Sequence, residues 1–438
     1  MIPAARISAT IELLDLIDSS DAPADGVIRA YFRKRRYAGS KDRRSVTTRV
    51  FDIIRHRARL DWWLASAAGE MEPNGRGRTL AGLALIDAEQ SETIAALFDG
   101  QGHNPARLSD DETTLLGNIA GKPIHHDAIG EAVLCELPDF LYQPLKALWG
   151  DNCRAEMDAL NAPAEVDVRV NLARVTREQA RTSLARDNIE TEPTPLSPVG
   201  LRLKQRGNLD ATKAFRQGLI EVQDEGSQLI ALLTGAKPGM TIVDSCAGAG
   251  GKTLALADAM GLQGGSEAKG RLVACDISAK RLARMDERIE RAGAGAIERH
   301  VLKETGDTLS IAADRVLVDA PCSGVGAWRR HPEARWRLTP ERLAELMALQ
   351  DRVLDDAAKW VKPGGRLLYA TCSLLPAENI DRVADFLKRH DDFQTLQISD
   401  VWTETIDTPC PSGGTALSLS PKSTGTDGFY CAVLERSA

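Results

Sequence analysis

No apolar run in this 438-residue chain approaches the roughly 18 residues that a membrane span requires. Its start, "MIPAARISATIELLDLIDSSDAPADG", has neither the basic flank nor the small-residue cleavage site of an export signal. A cytoplasmic protein with no membrane partner is expected. The eight cysteines include no C-x-x-C pair and are scattered from Cys135 to Cys431, which excludes a zinc signature and a disulfide framework. Reduced thiols and no metal are expected. Internal repeats are absent as well, so a solenoid is not indicated.

Basic charge is also in deficit. The formal net charge of −7 argues against a generic nucleic-acid binder, but its distribution points the other way. From Arg33 to Arg59, "RKRRYAGSKDRRSVTTRVFDIIRHRAR" carries eleven Lys or Arg against Asp42 and Asp52 only. A second cluster, "WRRHPEARWR", runs from Trp328 to Arg337. One such cluster is equally well a solvated helix face. Two in an acidic chain favour a polyanion, because Lys and Arg gain by displacing counterions from phosphates.

The chain is long enough for several domains. Residues 1–140 place apolar residues at three- and four-residue spacing, in "RISATIELLDLIDSS" and "SVTTRVFDIIRHRARLDWWLASAAG" among others, which predicts an all-helical domain. Residues 141–222 change to short alternating segments such as "VDVRVNLA" and "GLRLKQ" around a helical "REQARTSLARD", which predicts a small α+β module. In 223–438, the apolar runs "MTIVDS", "GRLVACD", "DRVLVDAP", "GGRLLYATCS" and "GFYCAVLE" alternate with helical patterns, as in a Rossmann-like parallel sheet with crossover helices. "TETIDTPCPSGGTALSLSPKSTGT" is polar and turn-rich and reads as a long loop.

The stretch "DSCAGAGGKT", Asp244 to Thr253, sits between the first of these strands and a helix. A P-loop needs G-x-x-x-x-G-K-[ST], and its first glycine would fall on Cys246. The dinucleotide fingerprint fails at Thr253. The remaining candidate ligand is S-adenosylmethionine, approached by the backbone of Cys246, Ala247, Gly248, Ala249, Gly250, Gly251 and Lys252, where larger side chains would block it. Asp276, ending the second strand, is placed for the ribose hydroxyls, although it also suits a cap for the helix that follows.

Asp319 and Cys322 in "RVLVDAPCSG" and Cys372 in "LLYATCSLLP" stand at two further strand ends, where a parallel sheet binds its ligands. Thiols beside a methyl donor suit methylation of cytosine at carbon 5. Addition of a thiolate at carbon 6 makes carbon 5 nucleophilic, a carboxyl group near N3 stabilises the adduct, and a base removes the carbon-5 proton before the thiolate leaves. The chemistry leaves the attacking group open between the two cysteines, and the Pro-Cys pattern of DNA cytosine-5 methyltransferases favours Cys322.

The ordered set "QDEGSQ", "DSCAGAGGKT", "CDIS", "DAPCSG", "RRHPEARWR", "YATCSLLPAENI" and "TDGFY" resembles the Fmu/Sun (NOL1/NOP2/Sun) family of RNA cytosine-5 methyltransferases over residues 223–438. The upstream module is similar to the family's RNA-binding insertion, and "SKDRRSVTTRVFDIIRHRARLDWWL" looks like the NusB-like extension of the branch that acts on 16S rRNA. The resemblance implies Cys372 as nucleophile, Cys322 as the thiol assisting product release, and Asp319 against the base edge and near the donor. It implies a donor-site role for Lys252 and RNA contacts for Arg329, Arg330, Arg335 and Trp336. Ala249 stands where the family usually has proline. Glu304 and Asp307 are alternatives for the acidic residue near the adenine, and neither is in clear register. The implied partner is RNA, as small-subunit rRNA or an assembling ribosomal particle, with no obligate protein partner. A tRNA or other rRNA target and a non-catalytic assembly factor are the competing readings.

Overall fold

The computed structural model describes residues 1–67, 72–263, 270–303 and 309–438, which divide into two compact units. The first comprises Met1–Ala162 together with Trp328–Leu338. It is helical. Ser40–Arg55 shows how the sequence builds it: Val46, Val50, Ile53 and Ile54 recur on one face and are buried, while Lys41, Arg44 and Thr48 on the other are exposed. The central helix Gly75–Leu85 is capped by Asn74, whose side chain accepts the Gly77 N–H, and nearly all its residues are buried. Helices continue to the end of this unit as Asp139–Trp149 and Cys153–Asn161, so helical structure runs some twenty residues beyond the expected boundary at 140.

The second unit comprises Pro163–Ala327 and Thr339–Ala438 and contains two sheets. Strands β1 (Asp167–Val170), β2 (Thr191–Pro193), β3 (Gly200–Leu203) and β4 (Ile220–Val222) form an antiparallel sheet in the order β2-β3-β1-β4. Val168, Val170, Leu201 and Ile220 bury one face with Ala180 and Leu184 of the helix Arg177–Arg186.

The larger sheet holds β5 (Thr241–Asp244), β6 (Arg271–Asp276), β7 (Glu298–Val301), β8 (Ala313–Asp319), β9 (Val361–Thr371), β10 (Phe393–Thr395), β11 (Ala416–Leu419) and β12 (Phe429–Arg436). Its order is β10-β12-β9-β8-β5-β6-β7, with β11 beside β12. β5 to β9 are mutually parallel, and β10 to β12 add antiparallel pairings. The presence of β11 corrects the reading of that segment as one long loop. Its Ala-Leu-Ser-Leu alternation buries Leu417 and Leu419 while pairing with Phe429–Ala432. The chain leaves β5 outward through β6 and β7, then returns to β8 on the other side. The carboxyl ends of β5 and β8 therefore form the switch point where such sheets receive ligands. No described helix is long and apolar enough to cross a membrane.

Candidate functional site

The glycine loop follows β5. Gly248 has φ 55° and Gly250 φ 83°, backbone conformations that favour glycine. A Cβ on Gly250 would stand 2.4 Å from Met285, whereas among the described residues no atom lies within 4 Å of the corresponding position on Gly248. Gly250 closes the loop against the protein, and Gly248 leaves backbone open to a ligand. The turn survives Ala249 in place of proline: the Gly250 N–H donates to the Ala247 carbonyl at 2.9 Å, and the Arg288 guanidinium donates to the Ala249 carbonyl at 2.7 Å.

Asp276 is buried and tied to two segments, while the cap of the following helix is Ser278, whose side chain accepts the Arg281 N–H. One carboxylate oxygen accepts the Gly248 N–H at 3.0 Å; the other accepts the Ser278 N–H at 2.8 Å and pairs with Arg281 at 3.0 Å. It thus ties the glycine loop to the start of the next helix. Glu304 and Asp307 lie outside the described residues.

Lys252, buried in the first turn after the loop, forms an ion pair with Asp319 at 2.8 Å and lies 5.4 Å from the centre of the Phe429 ring. Burial works against its charge, but the carboxylate of Asp319 outweighs it and raises the Lys252 pKa. Thr253 donates its hydroxyl to Asp244 at 2.6 Å. Burial pushes Asp244 up to about 7, and among the described residues its other oxygen has no hydrogen-bond partner. Burial likewise lifts the Cys246 thiol to about 12, which favours its protonated form.

Cys322 and Cys372 come from the ends of β8 and β9, and their sulfurs lie 3.4 Å apart. The hydrogen bond to Cys372 and burial push the Cys322 thiol well up. The Cys372 carbonyl accepts the Gly326 N–H at 2.9 Å, and the Gly326 carbonyl accepts the Gly428 N–H at 2.8 Å. These contacts account for the terminal "TDGFY": a Cβ on Gly326 would stand 2.1 Å from the Gly428 carbonyl oxygen.

One group escaped the reading of the sequence. Glu378, fully buried after β9, accepts hydrogen bonds from both Ser323 and Ser373, the residues that directly follow the two cysteines. Its signal was present in "PAENI", but nothing local shows that a carboxylate there faces two other segments.

The cluster "WRRHPEARWR" belongs to the helical unit, and two of its residues have partners inside that unit. Arg335 is 1% exposed; its guanidinium donates to the Glu136 carbonyl at 2.9 Å and lies 4.9 Å from the Trp328 ring centre. Trp336 is half-buried, donates to the Ile54 carbonyl at 3.4 Å and carries the Arg57 guanidinium 5.5 Å from its ring centre. Backbone carbonyls and packing within the helical unit engage Arg335 fully and Trp336 in part. Arg329 is buried and Arg330 half-buried.

Comparison with known proteins accords with this geometry. Residues 231–435 match the family model described as 16S rRNA methyltransferase RsmB/F, and residues 137–210 match the RsmF/B-like ferredoxin-like domain. The chain is 30% identical over 425 residues to a probable ribosomal RNA small subunit methyltransferase B of Synechocystis, covering 90% of this chain and 92% of that protein. It is 34% identical over 304 residues to ribosomal RNA small subunit methyltransferase B of Erwinia tasmaniensis, covering 68% of this chain and 66% of that one, just under two thirds of its length. Among solved structures, PH0851 is similar over 100% of this chain and 99% of its own, with TM-score 0.78 and 27% identity. The thiol pair, the glycine loop and the mixed sheet therefore stand in a chain that belongs to the RsmB/F family of 16S rRNA methyltransferases.

Proposed function

We propose that this protein transfers the methyl group of S-adenosylmethionine to carbon 5 of a cytidine in RNA, with small-subunit rRNA as substrate. The observation that carries the reading is the meeting of two thiols from separate strand ends, 3.4 Å apart, at the ligand-binding edge of a methyltransferase sheet. S-adenosylmethionine supplies an electrophilic methyl group. The open backbone at Gly248 and the buried carboxylate of Asp276 fit its approach, with Lys252 and Asp319 beside them.

In this reading Cys372 adds through its sulfur to carbon 6 of the cytosine, and Asp319 steadies the base edge. Carbon 5 then takes the methyl group as the sulfonium–methyl bond breaks and S-adenosylhomocysteine leaves, a base removes the carbon-5 proton, and the Cys372 sulfur departs as thiolate. Cys322, held protonated beside it, assists release. A nucleoside triphosphatase is disfavoured, because the Thr253 hydroxyl that a P-loop would offer to a metal is spent on Asp244.

The helical unit is proposed as a NusB-like RNA-binding domain. Six exposed cations between Arg33 and Arg44 flank Tyr37 in the sequence, and Tyr37 is 74% exposed, a composition suited to phosphates and a stacked base. Arg329 and Arg330 stay in the proposal as RNA contacts next to the Cys322 loop in sequence.

The test is tritium transfer from methyl-labelled S-adenosylmethionine to purified 16S rRNA, with bisulfite sequencing of the product and Cys372→Ala in parallel. One modified cytidine, lost in the variant, is expected. Transfer to tRNA or 23S rRNA alone would discard the 16S assignment, and transfer to no RNA would favour an assembly factor.

A further inference from the structure

We infer that Glu378 is a positioning residue that holds the two cysteine loops in register, an inference that rests on the methyl-transfer reading of the thiol pair. One carboxylate oxygen accepts the Ser323 N–H at 2.8 Å and the Gln350 side-chain N–H at 2.9 Å. The other accepts the Ser323 and Ser373 hydroxyls, and those hydroxyl oxygens are themselves 3.2 Å apart. Four donors from three segments thus converge on one fully buried group.

The chemistry of the arrangement is specific. A carboxylate so deeply buried is costly unless its lone pairs are filled, and these four donors fill them. Two donors are the side chains of the residues immediately after Cys322 and Cys372, so the bond network fixes the spacing of the sulfurs one residue earlier. Gln350 extends the clamp by donating also to the Pro321 carbonyl at 2.9 Å, just before Cys322. Asn379 braces the other side: it accepts the Thr371 hydroxyl at 2.5 Å and donates to the Ser373 carbonyl at 2.9 Å, spanning Cys372. The Tyr369 hydroxyl, donating to the Glu378 carbonyl at 2.6 Å, anchors the brace to β9. The Glu378 carboxylate acts on the reacting sulfurs only through the two loops it ties together.

The experiment uses the full chain with Glu378→Gln, Glu378→Ala and the double variant Ser323→Ala/Ser373→Ala. The first readout is the rate at which dibromobimane bridges Cys322 and Cys372 without RNA or donor. The second is covalent trapping on 5-fluorocytidine RNA, and S-adenosylhomocysteine affinity monitors the donor site. Glu378→Ala is expected to slow bridging about tenfold and trapping about a hundredfold, the scale of a displacement near 1 Å, with donor affinity retained. Glu378→Gln, which keeps an acceptor for the serines, should recover part of both rates. Where Glu378→Ala does not fold, the double serine variant must show the same loss of bridging. Wild-type bridging in either the alanine or the double serine variant overturns the proposal. Bridging reports thiol geometry without RNA, so loss of bridging in the variants alongside a wild-type protein inactive on RNA would retain the clamp and reject the cytosine reading.

Discussion

The sulfur of Cys322 lies 3.4 Å from that of Cys372, within hydrogen-bonding reach for a pair of thiols. Their hydrogen bond is the largest influence raising the Cys322 pKa, followed by burial. Removing Cys372 should therefore lower the Cys322 pKa and move its alkylation to lower pH. Iodoacetamide labelling of Cys372→Ala, followed by mass spectrometry between about pH 6 and pH 10, checks this, because only the thiolate reacts. An unchanged Cys322 profile would contradict the pairing.

Asp244 gives a pH dependence of stability whose sign is determined. Its carboxyl is pushed up to about 7 in the folded protein, above the ordinary range that applies when the chain is unfolded. The folded state thus keeps a proton the unfolded state has released, so its contribution to stability is greatest at low pH and is lost as pH rises through about 7. Asp244→Asn keeps an oxygen for the Thr253 hydroxyl and abolishes this dependence. Thermal melts between about pH 5 and pH 8 should show the wild type losing stability relative to the variant as pH rises, then levelling off.

Exposed Arg36 and Lys41 of the first basic cluster should behave oppositely to buried Arg335 of the second. Reversing Arg36 and Lys41 to glutamate should weaken RNA binding and flatten its dependence on salt, because each phosphate no longer neutralised by the protein lowers the slope by about 0.9 or less. Melting should change little at these exposed positions. Arg335→Ala should instead destabilise the helical unit by about 1–3 kcal/mol, the scale for leaving a buried acceptor such as the Glu136 carbonyl without its donor. Filter binding across a salt series, paired with chemical denaturation, separates the two effects.

Gly326→Ala drives a methyl group into the Gly428 carbonyl oxygen, 2.1 Å from the new carbon. Backbone faces backbone, so no side chain can yield. A loss of at least about 2 kcal/mol in denaturant unfolding is expected, together with reduced covalent trapping, because the Gly326 N–H also holds the Cys372 carbonyl.

The parts legible in the sequence were those with a local cause. β5, β6, β8, β9 and β12 announced themselves as apolar runs because both faces of a central strand are buried. The glycine loop and both cysteines were visible because small residues and thiols at strand ends have few alternative uses. β11 was hidden by surrounding Ser, Gly and Pro, and only its pairing with β12 makes four residues a strand. The helix Asp139–Trp149 carries Pro144 within it, which obscured the helical pattern. Charge alone could not tell an inward arginine from an outward one: the acceptors that bury Arg335 come from Glu136 and Asn161, far away in the chain. Glu378 was missed for the same reason, since its partners lie on other segments.

Eleven residues, Trp328 to Leu338, count structurally with the helical unit although they are encoded between two elements of the methyltransferase sheet. The Glu333 side chain accepts the N–H of Ala24 at the start of a helix, and Trp328 is 1% exposed. Genetic modularity is constrained accordingly. A gene shortened to its methyltransferase half would still encode this insert, with a tryptophan and an arginine shaped for an interior it no longer has. A natural relative that lost the helical unit should carry a rewritten insert, and swapping helical units between relatives should succeed only when the insert is exchanged with them.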